Sequence, residues 1–177
     1  VDGWGYLLGD AGSGFWIGRA GMDAAMRGFD GRGRMTPLTA RLREIFPDLS
    51  AAYVELQSDD RRVSRIASFS KVVDEVADGD PVAAEILDEA AAELSESVLA
   101  GLRRVGLMGS EPPRVCALGQ VLRSRHLRDR FTRYLRMQWP DLHLADPKGN
   151  ALLGAALLAN LGENSPLSSL VARAEVG

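Results

Sequence analysis

Gly3-Trp4-Gly5-Tyr6-Leu7-Leu8-Gly9-Asp10-Ala11-Gly12-Ser13-Gly14-Phe15-Trp16-Ile17-Gly18 is the stretch on which the reading of this chain turns. Five glycines fall within residues 1–14. That density excludes a helix interior and predicts irregular backbone with close approaches. A helix is expected from Ser13, or just after it, to about Arg27, with Ser13 as its cap. Inside the loop, Trp4 stands between glycines and Asp10 has glycines nearby on both sides. A flat apolar ring beside open backbone suits the C–H face of a sugar, and a carboxylate suits a pair of hydroxyls. The same residues also fit a core Trp and a helix-capping Asp in a tight turn. Spacing alone leaves both readings standing.

Downstream of this stretch the chain reads first as helices. Gly28 to Gly33 is a glycine-rich loop. Thr36-Pro37 opens a second helix, with Thr36 as N-cap, that ends before Pro47, and residues 50–57 form a short third one. Asp59 or Asp60 caps a helix expected to run through Ala77, with Val63, Ile66, Ala67, Phe69, Val73 and Val76 near helical spacing. Asp80-Pro81 opens another, whose apolar stripe runs from Ala83 to Val105 while Glu85, Asp88, Glu89, Glu93 and Glu96 form a solvated face. After Pro112-Pro113 the pattern changes. Arg114 to Leu118 reads as a buried strand, Gly119-Gln120-Val121 as its turn, and Ser124 to Met137 as an Arg-rich helix. Leu142 to Leu144 is a second strand. Gly149 to Asn160 is an apolar helix expected to be buried, and 167–174 carries a last helical pattern. The expected organisation is one lobe over 1–177, with a mainly helical part at 1–110 and a strand–helix–strand–helix part at 111–162.

Composition narrows the function. The chain has 177 residues, 46 % of them hydrophobic, and a net charge of −3. That argues against a nucleic-acid partner, which calls for a basic surplus. No apolar stretch approaches the length of a membrane span, and no signal peptide is legible, so the expected location is the cytoplasm. A single cysteine, Cys116, forbids an intrachain disulfide and is expected to be a buried small hydrophobe. His126 and His143 have no cysteine or carboxylate at ligand spacing, so no metal site and no catalytic residue is assigned. The arginines of 123–136 are expected to form a solvated face. The turn at Gly119-Gln120 joins a strand to a helix N-terminus, a place nucleotides use.

Taken in order, these segments resemble a known family. Gly3 to Gly18 is similar to the signature of N-acetylglucosamine kinases of the BadF/BadG group of actin-like ATPases. Arg65-Ile66-Ala67-Ser68-Phe69, Gly79-Asp80-Pro81, Leu118-Gly119-Gln120-Val121 with Ser124, and Gly154-Ala155-Ala156-Leu157 follow where that family has comparable segments. The resemblance implies an α/β chain, the C-terminal lobe of an actin-like (ribonuclease H-like) ATPase, helix-rich with a small sheet. It implies that Gly3, Trp4, Gly5 and Asp10 bind an amino sugar and that Ala67, Gly119 and Gln120 line an adenosine pocket. The reaction would move a phosphoryl group from ATP, with Mg2+, to the 6-hydroxyl of N-acetylglucosamine or glucosamine. Kinases of this type often dimerise through this lobe, so a homodimer is a further expectation.

Three positions depart from the family pattern. Ala11 stands where the family has Glu, Asp2 where it has Gly, and Gln120 where bacterial members have a second glycine. The family's phosphate loops and general-base Asp lie upstream of the Gly3 motif, and the chain opens inside that motif without Met. It is therefore expected to be a fragment lacking the N-terminal lobe. Two alternatives stand beside the kinase reading. One is a BadF-type ATPase that drives electron transfer, against which the single cysteine counts. The other is a non-enzymatic sugar-sensing or dimerisation module. The polypeptide alone is expected to show no turnover of MgATP and N-acetylglucosamine in a coupled ADP assay, and detectable ADP release would contradict that.

Overall fold

The computed structural model describes residues 1–158, 160–162, 164, 165, 167 and 168. Its elements are α1 (Gly14–Phe29), α2 (Leu38–Ile45), α3 (Ala52–Ser58), α4 (Arg62–Ser68), α5 (Ser70–Val76), α6 (Pro81–Arg104), β1 (Val115–Cys116), a 3-10 turn (Val121–Arg123), α7 (Arg125–Gln138), β2 (Leu144–Ala145) and α8 (Ala151–Leu158). The chain is thus helix-rich with a small sheet. β1 and β2 pair in parallel, Val115 with Leu144 and Cys116 with Ala145. A parallel pair needs a crossover, and α7 supplies it.

Side-chain capping sets the starts of α1, α6 and α7. Ser13 Oγ accepts from the Trp16 amide and opens α1, and Ser124 Oγ accepts from the Leu127 amide and opens α7. Asp80 is buried and does double duty. Its carboxylate accepts from the Val82 and Ala83 amides at the start of α6, and from the Thr36 hydroxyl just before α2. One side chain therefore caps α6 and ties it to the segment entering α2.

The core gathers around α1, which packs against α2, α4, α5 and α6, while α7 packs along α6. Phe46, Phe69, Leu38, Leu42, Leu87 and Leu127 are among its fully buried side chains. The approach of α4 to α1 is very close. A methyl placed on Gly18 would stand 1.9 Å from the Ile66 carbonyl oxygen. Gly14, Gly18 and Gly21 share one face of α1, so that face can lie against α4–α5.

Several expectations are corrected. The helix expected through Ala77 is two short helices broken at Phe69, whose amide bonds the Ile66 carbonyl instead of continuing the α ladder. The hydroxyls of Ser68 and Ser70 take the Arg65 and Ala67 carbonyls, which competes with the helix at the break. Cys116 is exposed, because burial alternates along Val115, Cys116, Ala117 and Leu118, and the strand covers the core with one face only. The Gly149–Asn160 helix is shorter, Ala151–Leu158, and exposed, with Leu152 80 % accessible. α1 runs to Phe29, two residues beyond the expected end. Glu85 and Asp88 are not merely solvated: Glu85 pairs with Arg34, and Asp88 with Arg130, Arg133 and the Tyr134 hydroxyl. These contacts also take two arginines of the 123–136 set out of a free solvated face. The pattern over 167–174 lies outside the described residues beyond Ser168. Among the described residues no helix is long and apolar enough to cross a membrane.

Gly18→Ala is expected to lower folding stability by about 2–4 kcal/mol, because backbone rather than a flexible side chain blocks the methyl. Gly79→Ala, where a methyl meets open space, is expected to change it by less than about 0.5 kcal/mol. Urea unfolding of both variants measures the difference.

Candidate functional site

The loop of residues 1–13 is built around two acidic residues. Asp2 and Asp10 both sit in the left-handed region, each with φ of 57°. Asp tolerates that region better than most residues. The Asp2 carboxylate accepts from the Asp10 amide at 3.2 Å and the Ala11 amide at 2.9 Å, stapling the two ends of the loop. Between them the chain turns at Gly5–Gly9, where the Leu8 and Gly9 amides both bond the Gly5 carbonyl. The Asp10 carbonyl accepts from the Ser13 amide and leads into α1. The Asp10 side chain is half-buried, and among the described residues Asp10 is hydrogen-bonded through its backbone only. Trp4 is 74 % exposed, so it is not the core Trp that spacing left open. Tyr6 packs its ring on Phe15 at 4.9 Å and anchors the middle of the loop to α1.

Beside the start of α1 lies a cavity of about 600 Å³. Gly14 forms one wall, Ala67 and Ser70 of α4–α5 a second, and Gln120 and Val121 a third. Ile17, Leu87 and Leu127 supply apolar lining, whereas Ser124 and Asp74 bring oxygen atoms and Lys71 and Arg123 bring positive charge. Both cationic residues are exposed. The arrangement offers apolar faces for a flat ring, hydroxyl and amide groups to orient it, and cations to meet a polyphosphate.

The structure places the sequence-derived residues in two neighbouring groups. Ala67 and Gln120 line this cavity, 53 positions apart in the chain. Gly119, with φ of 99°, forms the turn before Gln120 and is not among the lining residues. Gly3, Trp4, Gly5 and Asp10 lie on the loop that runs into Gly14, not in the cavity wall. Among the described residues no group of three or more His, Cys, Asp or Glu side chains is arranged to hold a metal ion.

Sequence reasoning missed a polar cluster at the cavity rim. His126 bonds Asp74 through Nδ1 at 3.0 Å and Asp78 through Nε2 at 2.9 Å. Ser124 donates its hydroxyl to the same Asp74 oxygen. The carboxylates of Asp74, then Asp78, hold the His126 imidazole above its ordinary pKa of 6.5. The available signal was the four-residue spacing of Asp74 and Asp78, which brings both to one side of the chain at the end of α5, Asp78 lying just past its last residue.

Comparison with known proteins then supplies a frame. The model of the "BadF/BadG/BcrA/BcrD ATPase family" matches residues 1–159. An "N-acetylmuramic acid/N-acetylglucosamine kinase" from Clostridium acetobutylicum is 29 % identical over 168 residues, covering 89 % of this chain and 52 % of the relative. The solved structure of a "Putative N-acetylglucosamine Kinase" from Chromobacterium violaceum superposes with a TM-score of 0.65 at 27 % identity, over 88 % of this chain and 50 % of that one. The chain therefore spans about half the length of these relatives.

Asp2→Ala is expected to speed amide hydrogen exchange at Asp10 and Ala11 roughly tenfold, since both lose their acceptor. Global stability should change by less than about 1 kcal/mol, because the loop is local and half-exposed. Residue-resolved exchange measures the first effect and thermal unfolding the second.

Proposed function

This chain belongs to the BadF/BadG/BcrA/BcrD ATPase family, and from that premise we propose that it is the C-terminal lobe of an actin-like amino-sugar kinase. In this reading the cavity beside α1 takes the adenosine of ATP. The 1–13 loop faces an amino sugar of the N-acetylglucosamine or glucosamine type, and the 6-hydroxyl receives the phosphoryl group. The observation that carries the reading is the convergence of Ala67, Gln120 and Gly14 on one cavity of about 600 Å³, immediately after the loop that presents Trp4 and Asp10.

The residues present fit the nucleoside. Apolar lining from Ile17, Leu87 and Leu127 suits a purine, and Ser70, Ser124 and Gln120 offer polar atoms to fix its orientation. Lys71 and Arg123, both exposed in the lining, offer positive charge to a phosphate chain. Mg2+ takes few protein ligands and travels mostly on phosphate oxygens, so it needs no cage from this lobe. When bound, MgATP supplies the phosphoryl group. Trp4 offers its ring to the C–H face of the sugar, and the unbonded Asp10 carboxylate accepts two of its hydroxyls. Catalysis of this kind comes from positioning and charge neutralisation. No residue of this chain is assigned as general base. That group, and the cradle for the β- and γ-phosphates, is assigned to a second lobe.

Filling the cavity tests the assignment. Ala67→Trp is expected to weaken ADP binding by about tenfold or more, roughly 1.4 kcal/mol, in calorimetric titration. Trp4→Ala should leave ADP affinity within about twofold and weaken N-acetylglucosamine binding instead. Undiminished ADP binding by the Ala67→Trp variant would contradict the placement of the nucleoside.

A further inference from the structure

The cluster at the cavity rim joins two segments about fifty residues apart in sequence, the end of α5 and the start of α7. Asp74 lies on α5 and Asp78 in the turn just after it, Ser124 caps α7, and His126 lies in the first turn of α7. Both imidazole nitrogens face carboxylate oxygens, at 3.0 Å and 2.9 Å. A carboxylate only accepts, so both ring nitrogens must donate, and only the imidazolium does that. A neutral ring has one N–H and turns a lone pair toward one of the two carboxylates. Asp74 and Ser124 also line the cavity, and the turn carrying Gln120 runs directly into Ser124.

We propose that His126 is a positioning residue: as an imidazolium held between Asp74 and Asp78 it clamps the start of α7 to α5 and so fixes the wall of the cavity that carries Gln120. The clamp itself rests on geometry, and only its effect on nucleotide affinity rests on the kinase reading. The other charged groups nearby do not replace it. Lys71 sits on α5 one turn before Asp74, and Arg123 precedes Ser124, both exposed at the cavity. Arg130 donates to the His126 carbonyl and pairs with Asp88 of α6. Arg125 and Asp129 pair with each other at 3.6 Å. None of these bonds the imidazole ring.

The sign follows from the contacts. Protonation is favoured in the folded state, so the stabilisation is complete below the ordinary pKa of 6.5 and is lost as pH rises through the raised value. Nucleotide affinity should fall over the same window.

The experiment has two independent arms on the full chain. The chain has two histidines, so NMR titration resolves the His126 ring, with His126→Gln as its assignment control. Its midpoint is expected above 6.5, and Asp78→Asn, at an exposed carboxylate, should lower it. Hydrogen exchange at the Leu127 and Arg128 amides, corrected for intrinsic rate, should quicken through that midpoint, and the dependence should vanish in His126→Gln. In the second arm, ADP affinity should drop roughly threefold to tenfold between about pH 6 and pH 9 in the parent and stay flat in His126→Gln. A midpoint at or below 6.5, or exchange at Leu127 and Arg128 indifferent to the titration, overturns the clamp. Exchange that tracks the titration with no ADP binding at any pH upholds the clamp and removes the nucleotide reading instead.

Discussion

The contact between α1 and α4 governs the rest of the structure. Two helices that touch backbone to backbone need small residues at the crossing, and Gly18 provides the tightest point, with the Ile66 carbonyl where its side chain would begin. Gly14 and Gly21 extend the same flat face one turn in each direction. Near Gly14 the packing loosens to ordinary van der Waals distance, and an added methyl would stand 3.5 Å from the Ser70 hydroxyl and 3.6 Å from the Ala67 carbonyl. The cavity opens where the helices begin to part. Its position is a consequence of how closely α1 and α4 meet four residues further on.

The loop before α1 shows how a departure from a family pattern can be accommodated. In the resemblance drawn from the sequence, the expected pattern has Glu at the position of Ala11 and Gly at the position of Asp2. In this chain the Asp2 carboxylate bonds the amides of Asp10 and Ala11. A carboxylate therefore returns to the same neighbourhood from the other end of the loop. It bonds the backbone beside Asp10, whose φ is 57°, while the Asp10 side chain makes no hydrogen bond among the described residues. An acceptor held in place but not satisfied internally is suited to meet hydroxyls from outside.

Local chemistry was legible in the sequence, and long-range placement was not. The caps at Ser13 and Asp80-Pro81 were readable because each involves residues within three positions. The glycines of 1–14 announced an irregular loop, and the order of helices, strand, helix and strand was visible from hydrophobic period. The break at Phe69 was hidden, because the apolar spacing of Val63 to Val76 continues through it while the seryl hydroxyls that compete with the ladder leave no periodic mark. Exposure of Cys116 was missed because a run of apolar residues reads as buried on both faces, whereas this two-residue strand covers the core on one. The α8 sequence, apolar on every side, reads as buried for the same reason. The bond from His126 to Asp74 spans 52 residues and follows only from the packing of α5 and α7 against α6.

The central claim is that one cavity beside α1 receives a nucleoside while the loop before it meets a sugar. Amide chemical-shift mapping on the isotope-labelled chain addresses both halves in one experiment. The account predicts that ADP moves the resonances of Gly14, Ala67, Ser70 and Gln120, and that N-acetylglucosamine moves the Trp4 indole and the Asp10 amide. Shifts induced by ADP that gather instead in the apolar groove between α1, α3 and α4, around Met22, Phe46 and Leu56, with none at Ala67 or Gln120, would contradict it.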